Sequence, residues 1–238
     1  MLSPKYSVKL FICLSFTFFV ATIVGTLSHE FGHYAVAKHL GYTTNISYGY
    51  TNWVDTTTSS FIDSVYTKYN KQIILNEGFP NKVKFEQIEA KLQTDDFKIA
   101  LGGPIQTMLT GTIGFILLLQ QKMKILTTTR INFYQWCCIF LSLFWLRQLA
   151  NLVTWVVGYF INGSFALNAD EISIALSLKL PKATLLTITA AVGLAILTFI
   201  IFKIIPNQIR FTFILAGLLG GIFGYFFWLV WVGPLLMP

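Results

Sequence analysis

Five apolar runs govern what this chain of 238 residues can become: roughly 8–40, 99–121, 133–161, 183–205 and 209–233. Each nears or exceeds the roughly 20 residues that a helix needs to cross a bilayer's hydrocarbon core. Backbone polar groups find no water there, so a spanning segment must be a helix that satisfies its own hydrogen bonds. The expected fold is an all-α polytopic membrane protein with about five transmembrane helices, one domain over residues 1–238. Charged residues make up only 11% of the chain, against about 25% in soluble domains. The net charge of +7 is scattered, which suits lipid headgroups and argues against nucleic acid as a partner. Lys5 and Lys9 precede the first run as they would in a signal peptide, but no small-x-small cleavage site follows, so the run reads as a retained helix.

Much of the charge falls in a polar insertion, 43–98, after the first run. Its start, TTNISYGYTNW, reads as a strand or hairpin, with an ordinary membrane-associated loop as the alternative. Further on, NKVKFEQIEAKL puts Phe85, Ile88 and Leu92 on one face of a short amphipathic helix. Cys13, Cys137 and Cys138 all lie in apolar runs, so they read as small packing residues rather than disulfide or zinc cysteines. The last run pairs Gly217 with Gly221 and Gly220 with Gly224 at G-x-x-x-G spacing, which lets helices approach closely.

Ionisable groups inside apolar runs need a reason, and the first run has three. His29-Glu30-Phe31-Gly32-His33 is an H-E-x-x-H, and residues 10–28 before it carry no charge. On a helix the two imidazoles point the same way, roughly 6 Å apart along the axis. Both can reach one zinc ion while Glu30 projects beside it as general base. His39 lies on another face and suits an interface rather than ligation. Zinc needs a third protein ligand. Seven carboxylates sit in the polar insertion; Asp170 and Glu171 lie instead beside apolar sequence between the third and fourth runs. Asp170 is the candidate ligand and Glu171 the fallback. Asn168 or Asp170 also suits the start of a short helix ending before Pro181, a role compatible with ligation. In the third run Arg147, Gln148 and Asn151 read either as the lining of a water path or as inter-helix hydrogen bonds, the latter preferred for Arg147.

SHEFGHYAVAKHLG closing the first run, IALGGPIQTMLTG opening the second, and an aspartate after the third resemble the site-2 protease family of intramembrane zinc metalloproteases. The resemblance covers about residues 8–175, leaving 183–233 as two further C-terminal helices. It implies zinc held by His29, His33 and Asp170, with Glu30 as the catalytic residue. It implies hydrolysis of peptide bonds in or near transmembrane segments of a membrane protein or peptide substrate, entering extended along the 43–53 strand. Two departures are visible: Asn151 is not followed by proline at 154, and Asp170 precedes Glu171 where the family has glycine. No PDZ-sized insert is present between the runs. The family topology puts the polar insertion on the cytoplasmic side, whereas Lys5, Lys9, Lys122, Lys124, Arg130, Lys203 and Arg210 favour the opposite side as cytoplasmic. Gly102, Gly103 and Pro104 are expected to start the second helix close to the site, or simply to start a helix. The rival reading is a catalytically degenerate relative acting in binding or transport. A hydrolase of the kind that trims prenylated proteins is weaker, because no histidine follows His39.

Overall fold

The computed structural model describes residues 7–127, 131–165 and 169–238. Lys5, Arg130 and Asn168 lie outside them. Helix α1 (Val8–His39) starts where the Ser7 hydroxyl accepts from the Leu10 amide. Inside it, Thr17, Thr22 and Thr26 each donate to the carbonyl four residues back, which satisfies hydroxyls that lipid would leave bare. It ends in a Schellman turn: Gly41 has φ of 92°, and the amides of Tyr42 and Gly41 bond the carbonyls of Ala37 and Lys38, both at 3.1 Å. That turn delivers the chain into β1 (Thr43–Ile46), which pairs antiparallel with β2 (Thr51–Val54), Ile46 opposite Thr51.

The expected hairpin is therefore present, but the expected short helix is not a separate element. The insertion instead holds α2 (Ser59–Ile74) and the first turns of α3 (Lys82–Thr127), which runs unbroken through Gly102, Gly103 and Pro104 into the second span. An aromatic zipper joins the two: Tyr69 stacks on Phe79 at 5.2 Å, and Tyr66 meets Phe85 edge-on at 5.3 Å. Pro104 is thus a mid-helix proline rather than a helix start, and Ala100 loses its helical donor there.

The third span is α4 (Phe133–Ser142), a tight turn at Leu143–Trp145, and α5 (Leu146–Asn162). A reciprocal capping box between Asn132 and Gln135 opens α4. Short α6 (Asp170–Ser177) ends in another Schellman turn, Leu180 amide to Ala175 carbonyl at 2.8 Å, with Lys179 at φ of 57° where glycine is usual. Then come α7 (Thr184–Phe199), widened to a π turn through Ile204, and α8 (Asn207–Tyr225), which runs through Phe226–Val232 to α9 (Gly233–Leu236). Arg210 caps the end of the fourth span by donating to the carbonyls of Ile201, Phe202 and Ile205.

Five helical stretches are thus long and apolar enough to cross a membrane, as the sequence predicts, and the chain is a multi-pass helical bundle. Their outward faces stay apolar and exposed, as at Ile12, Phe16, Phe211 and Leu218. α1 packs between α3 and α8, α5 packs on α7, and α6 is held by α3 and α7. Phe18 anchors the core, edge-on to Phe140 at 4.9 Å and Phe213 at 5.3 Å. The glycine pairs of the last span divide differently from their spacing. Gly217, Gly220 and Gly224 face α1, where a Cβ on Gly220 would strike the Ser15 carbonyl, while a Cβ on Gly221 would meet nothing within 4 Å.

Candidate metal centre

The site forms where α1 and α3 touch backbone to backbone. A Cβ on Gly32 would lie 2.8 Å from the Gly102 carbonyl carbon, and one on Gly102 would lie 2.5 Å from the Gly32 carbonyl oxygen. Only glycine on both helices permits this approach. The contact brings two acceptors of α3 against the outer nitrogens of the histidines. His33 Nδ1 lies 2.7 Å from the Ile99 carbonyl, and His29 Nδ1 lies 2.9 Å from the Thr107 hydroxyl oxygen.

These contacts determine the tautomers. A carbonyl only accepts, so His33 Nδ1 carries the proton. The Gly103 amide also reaches this nitrogen, but at 3.4 Å, so the shorter contact to the carbonyl at 2.7 Å decides the tautomer. The Thr107 hydroxyl donates to the Gly103 carbonyl at 3.0 Å, so it accepts from His29 Nδ1–H. In the neutral rings both Nε2 atoms are then bare lone pairs. They face one another at 3.2 Å, and both face Asp170 Oδ2, at 2.9 Å from His29 and 3.2 Å from His33. Three electron pairs directed at one point repel unless a cation lies between them.

The surroundings fit such a cation. Four ligands at the usual zinc bond lengths of about 2.0–2.1 Å sit about 3.3 Å apart in a tetrahedron, close to the separations seen here. Gly103 leaves the space open: a Cβ there would lie 2.5 Å from His29 Nε2 and closer still to His33 Nε2. The donor set points the same way, because Asp170 adds a carboxylate oxygen to the two imidazole nitrogens, ligand types that suit zinc.

Glu30, with a relative exposure of 3%, sits beside this point, and the ligand atoms of His29, Glu30 and His33 all lie within 4.8 Å of one another. Thr51 of β2 directs its hydroxyl at Glu30, 3.1 Å from Oε2 and 2.9 Å from the backbone carbonyl. On the other side Arg147 Nη2 stands 3.8 Å from Glu30 Oε1.

The structure brings Asp170 to the imidazoles and turns Glu171 elsewhere. Buried Glu171 accepts from Asn151 Nδ2 at 3.3 Å, and burial raises its pKa above the usual carboxylate range. Of the polar trio in the third span, Gln148 makes the inter-helix bond, accepting from the Thr189 hydroxyl at 3.2 Å, while Arg147 points to Glu30. His39 is exposed at the end of α1, away from the centre. Sequence reasoning missed Thr51, Thr107 and the Ile99 carbonyl. Their partners lie 21, 78 and 66 positions away, so no local pattern marks them.

A buried H-E-x-x-H cluster able to hold a metal ion, set in a polytopic helical bundle, places the protein with architectures of the zinc-metalloprotease kind. No family model, curated protein or solved structure matches the chain.

Proposed function

We propose that the protein is a zinc-dependent intramembrane endopeptidase of the site-2 protease type. The convergence within 3.2 Å of His29 Nε2 and His33 Nε2, from a membrane-spanning helix, with Asp170 Oδ2 of α6 carries this reading. Those three atoms would hold the ion. Zinc, when bound, acidifies a coordinated water and polarises a carbonyl. Glu30 takes the proton from the attacking water and returns it to the leaving amine nitrogen. Thr51 orients the Glu30 carboxylate.

The substrate would be a transmembrane or membrane-proximal peptide, with no nucleic acid involved. A helical substrate hides its carbonyls in hydrogen bonds, so it must unwind before water can attack. The hairpin offers an extended segment somewhere to pair: no third strand bonds it among the described residues, and β2 holds Thr51 against Glu30. Its tip is anchored. The Tyr48 amide donates to the Met237 carbonyl at 3.0 Å, and Trp228 Nε1 donates to the Tyr48 carbonyl at 2.7 Å.

The test is the purified protein in proteoliposomes with a single-span peptide. Wild type should carry about one zinc per chain and cleave the peptide. Glu30→Gln should keep the zinc and stop cleavage, and His33→Ala should lose both. A folded, metal-free wild type that leaves the peptide intact would favour a binding or transport role instead, and cleavage by Glu30→Gln at the wild-type rate would overturn Glu30 as the base.

A further inference from the structure

The polar group at this centre that the chemistry above leaves unused is Arg147. Its guanidinium carries five N–H donors. Nη2 approaches Glu30 Oε1 only to 3.8 Å, too far for a hydrogen bond. Nε is buried without a partner among the described residues. Buried donors are nearly always paired, so a cation left this way calls for an acceptor that arrives later. The group is also reachable, since 26% of the side chain is exposed while its neighbour Glu30 is sealed. Asn151, one turn further along α5, is already engaged by Glu171 and is not available for the same task.

An incoming acceptor of the right kind is created by the reaction itself. As water oxygen bonds to the scissile carbonyl carbon, its proton passes to Glu30 and the carbonyl π pair moves onto the carbonyl oxygen. Collapse restores that double bond, breaks the C–N bond and delivers the proton to nitrogen. The oxygen is negative only between those events. A donor that is ion-paired with Glu30 at 3.8 Å but not hydrogen-bonded beforehand is placed to meet it then, which favours the transition state over the ground state.

We propose that Arg147 is a catalytic residue that donates to the oxyanion of the scissile carbonyl. This rests on the endopeptidase reading. A fixed fork of donors does what a lysine ammonium cannot, so Arg147→Lys keeps the charge beside Glu30 while removing the geometry.

The test uses full-length Arg147→Lys and Arg147→Gln proteins in proteoliposomes, measuring zinc content, kcat and KM for the single-span peptide. Affinity for a phosphinic peptide of the same sequence, whose tetrahedral anion mimics the oxyanion, is measured alongside. Arg147→Lys should keep one zinc and the wild-type KM while kcat falls roughly 100- to 1000-fold. Phosphinic-peptide affinity should fall with kcat, while affinity for the intact peptide, measured in the Glu30→Gln background, stays level. If Arg147→Lys retains kcat, or loses zinc or intact-peptide affinity in step with kcat, Arg147 only balances buried charge and the proposal fails. Should Arg147→Gln not fold, Arg147→Lys alone decides the matter. A wild type without zinc or cleavage overturns the endopeptidase reading instead, so the two failures are distinct.

Discussion

Gly103→Ala is the sharpest perturbation of the metal centre. In a helix interior alanine is favoured over glycine by roughly 0.5–1 kcal/mol, so propensity alone predicts a slightly stabler protein. The site predicts the reverse for the ion. The new Cβ would lie 2.5 Å from His29 Nε2 and 2.8 Å from its Cδ2, occupying the point where the imidazole lone pairs converge. The rings cannot swing aside freely, because each is held at Nδ1, by Thr107 and by the Ile99 carbonyl. Releasing both bonds costs about 1–3 kcal/mol, taking about 0.5–1.5 kcal/mol for each. Tilting the rings spoils the ligand geometry, and disturbing the groups around a metal commonly weakens binding by about 10- to 100-fold; an atom placed at the ion's own position should do more. Zinc per chain by elemental analysis should fall from one to near zero, with helical content unchanged by circular dichroism. A Gly103→Ala protein that binds one zinc at wild-type affinity would refute the location of the site.

Three further outcomes follow from other parts of the fold. Thr107→Val removes the acceptor of His29 Nδ1–H and should lower zinc affinity about 10- to 100-fold, read by competition with a chelating dye. Gly220→Ala should destabilise the bundle by about 1–3 kcal/mol in detergent denaturation, since its Cβ meets Ser15 and Phe18, whereas Gly221→Ala should be neutral. Asp55 is held down to about 2 by hydrogen bonds from the side chains of Thr57 and Thr58, with their amides adding to the effect. Because the folded value is depressed, its contribution is present above the unfolded value near 4 and is lost as pH falls toward 2. Solvent screening keeps that contribution under about 1 kcal/mol, so amide protection factors at the start of α2, corrected for the intrinsic exchange rate, should fall at pH 2 relative to pH 5 while those of the spans hold.

The spans and the two histidines were legible because their signals are local. A lipid crossing demands a long apolar run, and i, i+4 spacing sets two imidazoles side by side. Asp170 was accessible only by elimination among carboxylates, since 141 positions separate it from His29. The α2–α3 hairpin was illegible for a different reason. Its helices are stabilised by Tyr66, Tyr69, Phe79 and Phe85 packing across the turn, and polar sequence with Asn76 and Asn81 in left-handed turns reads as loop. Gly102-Gly103-Pro104 resembles a helix start by composition, yet the helix beginning at Lys82 carries straight through it. The two glycines serve the seam with α1, which composition cannot distinguish from a terminus.

That seam sets two of the three candidate ligands on one spanning helix, and the third comes from a separate short helix. The histidines are tied to α3 at Ile99 and Thr107, one hydrogen bond to each ring. The carboxylate that closes the grip rides on an eight-residue helix outside the spans, between two short connectors. The seam rests on glycine contacts and hydrogen bonds of the protein's own, and none of them needs an ion.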